Sequence, residues 1–133
     1  MLFRSDEGIM EKGVFTPLAT SMLASSDPFP YQDGLLINPN IPGHFRKVRG
    51  VTTGLISDDK AAVTRLRSVF SPDIESMEGA CFHFAALMER IPFLQLRAVS
   101  NFVGDRNKAN WKLEEAIMNL NDALVNYCKT LDI

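Results

Sequence analysis

The sequence predicts an α/β fold, a central mixed sheet flanked by helices, in a single domain over residues 1–133. Three observations predict it. Residues 47–56 and 74–77 are β-branched, strand-like runs. Residues 57–70, 78–91 and 111–131 place apolar side chains at helical spacing. The two kinds of segment alternate and, with an apolar run at 93–99, give the order βα-βα-β-α.

Taken from the start, residues 1–13 are charged and punctuated by glycine, with no clean period. Residues 14–23 read as a short helix begun after Pro17 or as an ordered loop. SSDPFP at 25–30 is turn chemistry, because each proline fixes φ and restricts the residue before it. Leu35-Leu36-Ile37, between Asp33-Gly34 and Asn38-Pro39, reads as a short edge strand or bridge. NPNIPG at 38–43 is a further loop. KVRGVTTGLI at 47–56 is a strand interrupted at Gly54.

Ser57-Asp58-Asp59 then opens a helix, with Ser57 as N-cap and the acids at the positive end of the dipole. Its buried stripe is Ala62, Val63, Leu66, Val69 and Phe70. Residues 74–77 form a strand. The helix at 78–91 is apolar nearly all round, the pattern of a largely buried element, and Pro92 breaks it. FLQLRAV at 93–99 reads as a strand apolar enough for the middle of a sheet. Residues 102–110 are a polar loop. The helix over 111–131 carries Leu113, Ala116, Ile117, Leu120, Ala123, Leu124 and Tyr127 on one face.

Composition narrows the function classes. A net charge of −2, with 46% hydrophobic and 23% charged residues, is ordinary for a globular protein and makes no electrostatic case for nucleic acid or an anionic membrane. The one basic cluster, His44, Arg46, Lys47 and Arg49, reads as a solvated strand start. Cys81 and Cys128 fall on separate predicted helices without ligand-spaced partners, as small core residues of a reducing compartment. His44 and His83 are isolated, so no metal or other cofactor is expected. Residues 1–13 lack the apolar core of a signal peptide, and the apolar run around 80–88 is too short to span a bilayer. The expected location is the cytoplasm.

Chemistry concentrates at two switch points, residues 75–79 and 97–101. Parallel strands joined by a helix bring their carboxyl ends to one edge of the sheet, where ligands bind in α/β folds. That topology sets Glu78 beside Asn101. Glu78 reads as a first-turn acid favoured by the helix dipole, or as a carboxylate that accepts two hydroxyl donors of a sugar. Asn101 reads as a loop-initiating residue, or as a site residue just past a strand end. Arg97 in an apolar strand would be costly to bury unpaired and calls for an acid such as Glu75.

Ser76-Met77-Glu78-Gly79-Ala80, followed by Pro92 through Asn101 (PFLQLRAVSN), resembles the C-terminal half of the nucleoside phosphorylase/nucleosidase superfamily. Within it the futalosine hydrolases are most similar; they are nucleosidases of an alternative menaquinone pathway. GLLINP at 34–39 and VRGVT at 48–52 add to the likeness. The resemblance implies hydrolysis of a purine nucleoside, most specifically futalosine, releasing hypoxanthine. It implies a small-molecule nucleoside as partner and self-association into a homo-oligomer. Met77 would pack against the ribose and Glu78 would bind its hydroxyls. Leu55 and Ile56 would contact the base, and Ser100 would lie in the substrate site beside the catalytic position, Asn101.

Two departures from the family bear on this reading. Asn101 stands where methylthioadenosine/S-adenosylhomocysteine nucleosidases carry an aspartate that protonates purine N7. An amide delivers no proton, but its NH2 can donate to N7 and stabilise charge on the departing base. It also satisfies a 6-oxo group, which favours hypoxanthine over adenine. The second departure is larger. The family's first strands, glycine turn and water-activating acid are not recognisable in residues 1–33. The expectation is therefore a truncated member with N-terminal strands missing, an exposed sheet edge and weak or no activity. A purine nucleoside phosphorylase, a methylthioadenosine-type nucleosidase and an inactive fragment of such an enzyme remain the alternatives.

Overall fold

A computed structural model describes residues 29–43, 45–56 and 58–131 in full, and the backbone of three further strands before them. The elements, in order, are β1 (Leu2–Ser5), β2 (Gly8–Glu11), β3 (Val14–Pro17), β4 (Tyr31–Gln32), β5 (Leu35–Ile37) and β6 (Arg49–Thr52). They continue with α1 (Lys60–Phe70), β7 (Ile74–Ser76), α2 (Gly79–Met88), a 3-10 turn (Lys108–Asn110) and α3 (Leu113–Cys128). A five-stranded mixed sheet has the order β4-β5-β1-β6-β7, and β2 and β3 form a separate antiparallel pair.

β4 and β5 form a hairpin because Asp33 (φ 50°) and Gly34 (φ 68°) both take positive φ, the conformation of a type I′ turn. β5 is interior rather than the edge strand expected, because β1 pairs with its other side. β1 runs parallel to β6, and β6 parallel to β7. The strand at 14–17 replaces the expected helix or loop; the rest of that stretch, residues 18–23, lies outside the described residues.

The register assigns the helices to opposite faces. Gly50 pairs with Ile74, and Ile74 packs with Leu36 and Ala80 under α2. Val51, one residue on, points to the other face, where Leu66 and Phe70 of α1 enclose it. Val51 is fully buried and Leu36 nearly so. α1 starts at Asp59, whose carboxylate accepts from the Ala62 amide at 2.7 Å. The N-cap is thus two residues later than the Ser57 expected, and Ser57 itself lies outside the described residues. Leu66 and Phe70 of the expected stripe are buried; Ala62, Val63 and Val69 are half-buried.

Three expectations give way. Residues 93–99 form no strand, and they do not pair with the outer edge of β7. They run past Val48, Asp73 and Ile74, at the amino ends of β6 and β7, and the Asn38 side chain holds them by donating to the Phe93 carbonyl at 2.7 Å. α2 is consequently buried on one side only, through Gly79, Ala80 and His83, while Phe82, Phe84 and Met88 stay exposed. Finally, Cys81 and Cys128 are exposed free thiols rather than core residues, because each lies on the outer side of its helix. α3 is shorter than expected and buries only Ala116. Among the described residues, no helix is long and apolar enough to cross a membrane.

Candidate functional site

Four of the six expected site residues follow the carboxyl ends of two neighbouring parallel strands. Leu55 and Ile56 come just after β6, and Met77 and Glu78 just after β7. All four are exposed, Leu55 most of all at 84%. Three large apolar side chains and one carboxylate thus share an edge of the sheet with no cover among the described residues. An acceptor-only group beside apolar surface suits a ligand with hydroxyls at one end and a flat, weakly polar body at the other.

The local construction of that edge explains why Glu78 is available. Glu78 is the N-cap residue of α2, but its side chain makes no capping bond. Two hydroxyls do the capping instead. Ser76 accepts from the Gly79 amide at 3.2 Å, and Thr52 accepts from the Ala80 amide at 2.7 Å. Thr52 and Ser76 are register partners at the ends of β6 and β7, so both hydroxyls reach the same helix start. The helix N-terminus would otherwise leave these amides to Glu78 or to water. Sequence reasoning missed both caps. Ser76, three residues before Gly79, carries a local signal; Thr52 carries none, since it meets Ala80 only after the strands pair.

Ser100 and Asn101 are placed elsewhere. With no strand at 93–99, Asn101 is not carried to the carboxyl edge. It lines an open hollow of about 640 Å³ between residues 96–102 and α3, with Phe45, Lys112, Glu115 and Asn119 among the other walls. Asn101 Oδ1 accepts from the Ser100 hydroxyl at 2.7 Å, and its Nδ2 donates to the Phe102 carbonyl at 3.2 Å. The Lys112 amide donates to the Ser100 carbonyl at 2.7 Å, tying this stretch to the start of α3. A second hollow of about 410 Å³ is walled by residues 94–97, Asn38, Val48 and Ile74. Glu78 lines neither of these two hollows. Arg97 is exposed and donates to Gln95 Oε1 at 3.1 Å.

The chain is similar to futalosine hydrolases. It is 37% identical over 68 residues to futalosine hydrolase of Thermus thermophilus, a stretch covering 51% of this chain and 30% of that protein. It is 43% identical over 58 residues to futalosine hydrolase of Streptomyces coelicolor, covering 44% of this chain and 25% of that one. The match therefore spans less than a third of either relative. No family model matches, and no solved structure matches significantly. The resemblance to futalosine hydrolases read from the sequence is borne out by these two relatives.

Proposed function

We propose that this chain carries nucleoside-binding residues of a purine N-glycosidase, with futalosine as substrate and hypoxanthine as the released base. The observation that carries the reading is the identity shared with two futalosine hydrolases, together with the exposed Glu78 on an apolar sheet edge. Glu78 accepts hydrogen bonds from the ribose hydroxyls, Met77 packs against the sugar, and Leu55 and Ile56 contact the base. Charge-assisted bonds from two hydroxyls to one carboxylate are each worth about 1.5–3 kcal/mol.

Asn101 is assigned to the base, donating to N7 or satisfying the 6-oxo group as negative charge builds on the leaving purine. In the free chain its Nδ2 is engaged by the Phe102 carbonyl. The role therefore requires residues 96–102 to exchange that contact and the α3 hollow for the nucleoside at the Glu78 edge. Release of hypoxanthine from futalosine by the purified chain, followed with and without phosphate, tests the reading. Weak release without phosphate is the expected result. Release only with phosphate makes the protein a phosphorylase, and no release under either condition sinks the nucleosidase reading.

A further inference from the structure

Thr52 is fourteen-fifteenths hidden at the end of β6, 7% exposed, and its hydroxyl is committed to the Ala80 amide at 2.7 Å. Its neighbour Thr53 is more deeply buried still, yet its Oγ1 has no hydrogen-bond partner among the described residues. One of two adjacent threonines is therefore bound to the helix start, and the other is not. We propose that Thr52, seconded by Ser76, is the positioning residue for Glu78. By satisfying the first amides of α2 from outside the helix, the two hydroxyls remove the acid's nearest intramolecular donors and leave its carboxylate for the ligand.

An acid at an N-cap position normally turns back onto the amides two or three residues on, because they are unpaired and lie at the positive end of the helix dipole. Here the Ala80 amide, two residues on, is taken by Thr52, and the Gly79 amide, one residue on, by Ser76. Without the Thr52 hydroxyl, the Ala80 amide is an open donor two residues from Glu78, and the carboxylate folds onto it. The inference rests on the nucleosidase reading and adds to it a residue that touches no substrate.

The test uses the full chain and three substitutions. Thr52→Val keeps the shape and deletes the acceptor, Thr52→Ser restores it, and Thr53→Val removes the uncommitted hydroxyl next door. The readouts are kcat/KM for hypoxanthine release from futalosine, in the unaltered and Glu78→Gln backgrounds, and hydrogen exchange of the Ala80 amide. The proposal expects Thr52→Val to lower kcat/KM about tenfold through KM, Thr52→Ser to recover most of it, and Thr53→Val to leave it unchanged. In the Glu78→Gln background Thr52→Val should cost almost nothing, since residues acting as one unit are not additive. An equal loss in both backgrounds overturns the proposal and leaves the nucleosidase reading intact, as does an Ala80 exchange rate that Thr52→Val does not change. If the unaltered chain releases no hypoxanthine, the nucleosidase reading fails and the positioning role falls with it, while the Ala80 amide separately reports whether Thr52 caps the helix.

Discussion

The carboxyl edge of β6 and β7 carries four of the six expected site residues and the stretch from 91 to 102 the other two, and they are held in different ways. At the sheet edge, parallel ladders run up to Thr52 and Ser76, and two hydroxyls then fasten the start of α2. The backbone there has little freedom, so Glu78 is set by its surroundings. The stretch from 91 to 102 has no ladder. It is tied through the Asn38 amide to Phe93 and through the Lys112 amide to Ser100, and Phe102 stands 86% exposed. A group held by a ladder can be pre-organised for a ligand; a group held by isolated bonds has to be ordered when the ligand arrives, at a cost in conformational entropy.

That contrast can be broken most sharply in the core beneath the edge. Leu36→Ala removes the buried side chain packed against Ala80, and should destabilise the chain by about 3 kcal/mol. Leu96→Ala in the half-buried stretch should cost no more than about 1 kcal/mol. Denaturant midpoints of the two variants measure the difference, and equal losses would erase the distinction. Glu78→Gln comes next: it should reduce kcat/KM for futalosine about 100-fold while leaving the thermal midpoint within a few degrees, because the exposed acid makes no capping bond.

Smaller effects sharpen the picture. Asn38 is buried, donates to the Phe93 carbonyl and accepts from the Asn40 amide at 2.9 Å. Asn38→Ala should cost about 2 kcal/mol and raise hydrogen exchange over residues 93–100, with exchange in β6 and α2 changed only by the global loss. The smallest effect belongs to Asn101→Asp, which should shift preference from a 6-oxo towards a 6-amino purine nucleoside by about tenfold, roughly 1.4 kcal/mol. Competition between inosine-type and adenosine-type substrates measures it, and an unchanged preference removes Asn101 from the base site.

Local signals were legible where they are chemically self-contained. Leu66 and Phe70 fall on one helical face whatever they pack against, whereas the hairpin turn at Asp33-Gly34 went unread, the sequence giving only the strand that follows it. Ser57 and Asp59 are both good caps. Asp59 holds the position because the helix begins at Lys60, where the stripe can reach Val51. The strand pattern at 93–99 failed for a different reason: alternation and apolarity describe a side-chain surface, whereas a strand also has to pair with an edge, and this stretch stays off the one that β7 offers.

The sequence by itself determined the three α-helical segments and the Met-Glu motif, which depend on residues close together in the chain, and the likeness to futalosine hydrolases. Tertiary structure alone decided that β5 lies inside the sheet, that 93–99 stays out of it, and that Thr52 caps a helix beginning at residue 79. Those outcomes depend on which backbone donors and acceptors remain unpaired once the strands have met. That accounting exists only in the folded chain.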